Sequence, residues 1–495
     1  MSRRDRAPRP AWALLAVALV ALGCGREAAR RGEGRGVLVI AVDGLRADHL
    51  SLSGARYDRE TTPRLDALAA AGILFADHLS TAPWNLPAVA SLLTGCDPYV
   101  SRRKLPEGMP RTLATRWNVP EAAPHLAQQF LLAGWTTAAF VDHEDIAPLY
   151  GLGAGFQGWT SSLEQPGDER GLAALERPLV QWLRERGKDE SWFAFVHTAE
   201  LERTWERADP RWDTVFEPRP ELAAVPPVGD AAHLFHAVPR ARWSGGLTTL
   251  GEYRARYDGA LLRLDGEIGR FLQQLAQVGW LEDTTVCLVG THGLGFGEAG
   301  LWLDHGTLSD VDLAVPWILR PARGLELGSP RRVDALSSTL DVAPTLLDLV
   351  GLDVPAAMHG RSFLPFLGGR ARVPRGHVVA RSAFQDGYAV LTPDWSLELT
   401  QPWRVDEEVL ASSWFGHGAP FPETVRVALA PRPGREVAEL DDAARAALLE
   451  ELCSLGRAWV RDVEGLRDSL QTAGWLVRAG LSAESDVAEL GPCVR

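Results

Sequence analysis

The chain has 495 residues, 46% of them hydrophobic and 23% charged, which suits a large folded core and excludes disordered and collagen-like classes. A formal net charge of −13 argues against nucleic acid or an anionic membrane surface as partner. It also disfavours a polyanionic glycan unless a local basic cleft exists.

Arg3, Arg4, Arg6 and Arg9 precede an apolar run from Ala11 to Leu22. That run is too short to span a bilayer as a mature helix and reads as a signal peptide. Its end, Ala21-Leu22-Gly23-Cys24, resembles a bacterial lipobox, in which Cys24 is lipidated and becomes the mature N-terminus. Residues 1–24 are therefore expected to be a lipoprotein signal peptide. Residues 25–36, charged and Gly-rich, read as a tether. The expected location is the bacterial cell envelope, lipid-anchored on its periplasmic or extracellular face. Among the remaining cysteines, Cys287 reads as a buried thiol, and Cys453 and Cys493 could pair in an oxidising compartment.

Val37 to Val42 is a continuous apolar, mostly β-branched run, the pattern of a strand buried on both faces of a parallel sheet. It ends at Asp43, and ligands of open α/β sheets bind outside the carboxyl ends of strands, so Asp43 is placed to hold a cation or polar group. Helical patterning runs from Pro63 to Gly72. In the stretch Ala82-Pro83-Trp84-Asn85-Leu86-Pro87-Ala88-Val89-Ala90-Ser91-Leu92-Leu93-Thr94-Gly95, Pro87 lies just inside the start of a short helix and Gly95 just past its end. Asn85 then sits at the helix N-terminus, where free N–H groups and the dipole favour an anion. Residues 112–134 contain another helix and Trp135 to Val141 another strand; Asp142 and His143 after it read as surface polar residues. Trp192 to His197 is a further buried strand, with His197 packing under the strand ends. Residues 198–250, rich in Pro, Trp and charge, read as a surface excursion or lid. Tyr257, Leu261, Leu264, Ile268, Phe271, Leu272 and Leu275 fall at helical spacing within Tyr253 to Gly279. Thr284 to Gly290 is the next strand and ends in Thr291-His292-Gly293.

Pro87, Ala90, Leu92, Leu93, Thr94 and Gly95 match the signature of the sulfatase family of the alkaline-phosphatase superfamily, which this chain resembles from Val37 to Leu367. In that family the first signature position is the nucleophile, a formylglycine made from Cys or Ser, or a Thr in relatives. Here it is Asn85, whose amide nitrogen is not nucleophilic. By the same resemblance Asp43 is the first metal-binding carboxylate, with Gly44 where a second often stands. Thr291-His292-Gly293 stands for an Asp-His-Gly motif whose Asp and His ligate the metal. His305 takes the place of a basic residue that contacts sulfate or phosphate oxygens. Glu202, in Glu200-Leu201-Glu202, stands where an Asp-Pro-His motif supplies a His to the leaving-group oxygen. The implied fold is α/β: a mixed, mainly parallel central sheet sandwiched by helices over residues 37–370. A smaller C-terminal α+β subdomain follows over 371–495, with strands around Tyr388 to Leu391 and Trp395 to Leu399 and a helix from Asp441 to Val460.

The family's cation is Ca²⁺ or Mg²⁺, held by carboxylate charge. Asp43, Asn85, Thr291 and His292 together supply one formal negative charge, so binding is expected to be weak or lost. The reading that follows is a pseudoenzyme that binds a sulfated or phosphorylated small molecule or glycan without covalent catalysis. A second reading is a metal-dependent sulfuric or phosphoric ester hydrolase. In it Asp43, His292 and His305 hold a transition metal, metal-bound water attacks, and Glu202 is the base. A third is a structural envelope protein.

Overall fold

Val37–Val42 forms the middle of the fold, as its apolar run predicts. The computed structural model describes residues 35–52, 58–101, 117–165, 170–205, 209–219, 225, 228–229, 237–298, 300–325, 327, 331–382, 387–400 and 426–470. The signal peptide with Cys24, the tether to residue 34, and Cys493 lie outside them. Gly36, assigned to the tether by composition, instead opens the first strand, pairing with Trp192 and Thr284.

Eight strands make the main sheet: β1 (Gly36–Val42), β2 (Ile73–Phe75), β3 (Thr136–Val141), β4 (Gly158–Ser161), β5 (Trp192–Thr198), β6 (Thr284–Gly290), β7 (Trp317–Arg320) and β8 (Arg332–Val333). Their order is β8-β2-β7-β6-β1-β5-β3-β4. Only β7 runs antiparallel to its neighbours, β2 and β6. The sheet is therefore mixed and mainly parallel, with both faces covered. Alternation along β1 divides the core: Val37, Val39 and Ala41 pack into one apolar layer, Leu38, Ile40 and Val42 into the other. The first layer takes in helices α1 (Asn85–Thr94) and α3 (Val342–Leu349); the second takes in α2 (Leu250–Gln277).

Helix α2 begins at a Thr249/Glu252 capping box, and its predicted stripe from Tyr257 through Leu275 is buried except for the partly covered Leu272. Helix α1 is buried along its whole length and closes on Gly95 at φ 62°. Ala there would meet both the left-handed backbone cost and Met358 Sδ, 3.0 Å from the added methyl carbon. Gly95→Ala should lower stability by about 1–2 kcal/mol in a urea titration, without altering the site residues directly.

The C-terminal unit is a four-stranded antiparallel sheet, β9 (Val378–Arg381), β10 (Gly387–Leu391), β11 (Trp395–Thr400) and β12 (Arg426–Pro431). The helix beside it, Asp442–Leu470, is longer than its sequence pattern predicts. Polar contacts fasten this unit to loops and a short helix of the main domain: Arg432 bonds Asp77 and Asp310, each at 2.9 Å, and Trp459 Nε1 donates to Asp97 at 2.6 Å. Cys453 is disulfide-bonded. Cys287 is buried, as expected, and burial pushes its thiol up to about 12.

Candidate functional site

Register brings the site together. Val42, Thr198 and Gly290 are partners across β5, β1 and β6, so Asp43, Ala199 and Thr291 leave the sheet side by side at the carboxyl edge. The backbone ladder continues past the strands, with Asp43 N–H donating to Thr198 O at 3.0 Å and Thr291 N–H to Val42 O at 2.9 Å. Gly293 lets the chain turn after His292: an added Cβ would lie 1.9 Å from Val311 O, so no other residue fits.

Asp43 is fully buried, and its Oδ1 accepts the Thr291 hydroxyl and faces His197 Nε2 at 2.9 Å. Thr291 thus ties off Asp43 instead of offering an oxygen to the cleft. Burial would raise the Asp43 carboxyl, but His197 holds it below its ordinary value, with Glu202 opposing and His292 helping. His197 packs beneath the strand ends, as its sequence position predicts.

Glu202 is the main surprise. The segment predicted to be a surface excursion starts as a buried turn: Leu201, Glu202, Thr204 and Trp205 are buried, with Trp205 packed on Tyr253. Glu202 Oε1 lies 3.0 Å from His292 Nε2 and 3.1 Å from His305 Nε2. Each imidazole turns its other nitrogen to a backbone carbonyl, His292 Nδ1 to Gly293 O at 2.7 Å and His305 Nδ1 to Pro83 O at 3.0 Å. A carbonyl only accepts, so both Nδ1 atoms carry the proton and both Nε2 atoms face the carboxylate. Among the described residues, Glu202, His292 and His305 are the side chains whose donor atoms gather within 4.8 Å as a metal could require. Counting charge from sequence alone underrated this pocket, which holds two buried carboxylates, Asp43 and Glu202.

Burial alone would raise Glu202, but His305 and His292 hold it well below the usual carboxylate range. Burial likewise would lower His292, and Glu202, with Asp43 behind it, lifts it to about 9. The sign follows: a base with a raised folded value stabilises fully below its unfolded value near 6.5 and loses that contribution as pH climbs through about 9. Chelator-treated protein should therefore lose thermal stability between those pH values, and the loss should shrink in His292→Gln. Glu267, raised to about 8 by burial and Glu200, drifts the same way, so the difference between wild type and variant is the readout.

Asn85 opens helix α1, buried, with its Oδ1 accepting the Leu86 N–H at 2.6 Å and its Nδ2 3.3 Å from His143 Nε2. Asp142 corrects the expectation of a surface polar residue, whereas His143 is half-buried. Asp142 is fully buried and gathers Ser162 Oγ, Gly171 N–H and the Arg203 guanidinium. His143 lines a cavity of about 340 Å³ together with Glu144, Glu202, Arg203 and Arg242. Sequence patterning gave no signal for His143, because its role depends on where a neighbouring strand ends. Burial pushes Asp145 up to about 6; His143 opposes, while Glu144, Glu202 and Asp43 add to it, marking the cleft as electronegative.

A family cation of the Ca²⁺ or Mg²⁺ kind does not fit these residues. Such ions take six or more oxygens, chiefly carboxylate. Here Gly44 offers none, Asp43 has only Oδ2 left because Oδ1 is engaged by Thr291 and His197, and the Asn85 carbonyl is occupied by Leu86, far short of six oxygens.

Comparison with known proteins accords with this architecture. The sulfatase family model matches residues 35–352. The chain is 32% identical over 123 residues to an N-acetylglucosamine-6-O-sulfatase of Bacteroides thetaiotaomicron, a match spanning 25% of this chain but only 22% of that protein. It is 26% identical over 409 residues to the multifunctional alkaline phosphatase superfamily protein PehA of Trinickia caryophylli, covering 67% of this chain and 77% of that one. Among solved structures, a 2-O GAG sulfatase superposes with TM-score 0.63 at 19% identity, over 88% of this chain and 94% of the other. The phosphonate monoester hydrolase of Agrobacterium radiobacter superposes with TM-score 0.61 at 20% identity, over 91% and 100%. From the strand-end carboxylate, the buried helix behind it and a family match across most of the chain, the protein belongs to the sulfatase family of the alkaline-phosphatase superfamily.

Proposed function

We propose that the protein is a pseudoenzyme of this family, an envelope lipoprotein whose cleft engages a sulfated or phosphorylated small molecule or glycan without covalent catalysis. The observation that carries this reading is Asn85: its amide has no nucleophilic atom, and both ends of it are engaged, by Leu86 N–H and by His143. The cavity lined by His143, Arg203 and Arg242 brings basic groups to an anionic ligand, although Arg203 is paired with Asp142, Arg242 with Asp304, and Glu144 and Glu202 share the wall. The membrane link is proposed through Cys24; among the described residues no helix is long and apolar enough to cross a membrane.

One observation favours a second reading, a metal-dependent ester hydrolase: the grouping of Glu202 with His292 and His305. It differs from the sequence-based version in giving Glu202 a donor position in place of a general base.

A glycan array tests the first reading. Selective retention of sulfated over unsulfated glycans, weakened in His305→Ala, is the expected result. Equal retention on both would remove the proposed ligand class.

A further inference from the structure

We infer that Glu202, His292 and His305 form a transition-metal site of the zinc class, with Glu202 and His305 at positions that contact ester oxygens in the resembled family and His292 shared with the family's metal pocket. The inference stands whether or not the ligand is turned over. Four observations carry it.

The donor set is one carboxylate oxygen and two imidazole nitrogens, the mixture that suits zinc, cobalt or nickel and not a hard alkaline-earth ion. The atoms converge: Glu202 Oε1 is within 3.1 Å of both Nε2 atoms, and the two rings stand 4.2 Å apart between centroids. Both imidazoles are oriented from behind by Nδ1–H bonds to backbone carbonyls, the arrangement that presents Nε2 lone pairs to an ion and fixes the tautomer. Finally, Glu202 Oε1 and His292 Nε2 are buried and, though 3.0 Å apart, are not aligned as a hydrogen bond. A buried carboxylate facing two imidazoles needs a positive centre among them, and a divalent ion can supply it in place of a proton.

Asp43 is a neighbour and not a donor in this set. Its Oδ1 lies 3.9 Å from His292 Nε2 and is already engaged by Thr291 and His197. The consequence is a relocation. Glu202 replaces the residue expected to touch a leaving-group oxygen, and a negative side chain there repels a free sulfate. A bound divalent ion would reverse that sign and give an anionic ligand its counter-charge in the cleft.

The test uses the purified full-length protein stripped with chelator, then equilibrated separately with ZnCl₂, CoCl₂, CaCl₂ and MgCl₂ and analysed by elemental mass spectrometry. One equivalent of zinc or cobalt retained in the presence of excess Ca²⁺ and Mg²⁺ is the expected outcome. The cobalt form should show visible ligand-field absorption. His305→Gln and Glu202→Gln should each weaken zinc binding by more than about 100-fold, more than loss of an outer partner causes. Asp145→Asn, beside the cleft but outside the donor set, should leave the stoichiometry unchanged, and circular dichroism of each variant separates misfolding from loss of a donor. Absence of zinc and cobalt from the wild type, preferential retention of Ca²⁺ or Mg²⁺, or undiminished zinc in folded His305→Gln would overturn the assignment.

Discussion

Asn85→Cys, even after conversion of the new cysteine to formylglycine, should leave aryl sulfate turnover within about tenfold of background, against the million-fold scale on which loss of a covalent nucleophile is felt in other hydrolases. The substitution supplies the attacking atom and nothing else. Thr291 would still occupy Asp43, so the cation pocket would still lack the second carboxylate that the resembled Asp-His-Gly motif provides. Glu202 would still face the leaving group with negative charge, drawn to His292 and His305. Groups that act as a unit in catalysis are not restored one at a time. Turnover should first rise when Asn85→Cys is combined with Thr291→Asp and Glu202→His, measured as nitrophenolate release from 4-nitrophenyl sulfate. A large gain from the single change would mean that the other two positions are not limiting.

Asp43→Ala should cost about 3–5 kcal/mol of folding stability in a denaturant titration, the range seen when one partner of a buried charged pair is removed. Asp43 is fully buried at the end of the central strand and receives Thr291 while facing His197, so its loss strands the His197 ring and leaves the Thr291 hydroxyl only the Val42 carbonyl. Asp43→Asn, which keeps the shape and removes the charge, should cost less than Asp43→Ala. Equal and small effects would place the carboxylate in a purely ligand-facing role.

The fold was legible where burial is periodic. Val37 to Val42 and Thr284 to Gly290 read as buried strands because they are apolar on both faces, and Tyr257 to Leu275 read as helix because their spacing repeats with the turn. Helix α1 was legible from Pro87 and Gly95, which placed Asn85 at its N-terminus. Asp43 was legible because it follows a strand directly, and His292 because it stands two residues past one.

What stayed hidden depends on side chains meeting across the sheet. Glu202 follows a strand by four residues in a stretch whose Pro, Trp and charge content suggests surface, yet Leu201 and Trp205 on either side anchor the turn inward. Its proximity to His305, 103 positions away in sequence, has no local signature. Asp142 looked like a surface residue because a buried carboxylate is recognisable only by its donors, and these come from Ser162, Gly171 and Arg203. Counting charge along motifs therefore found one carboxylate where the folded pocket has two.

Nitrophenolate release from 4-nitrophenyl sulfate, phosphate and phosphonate by the purified protein, beside Asn85→Ala, is the most direct trial of a site without covalent catalysis. No release above the buffer blank, from either protein, is the predicted result. Release by the native chain that disappears in Asn85→Ala would contradict it, for an atom of that side chain would then be taking part in the reaction.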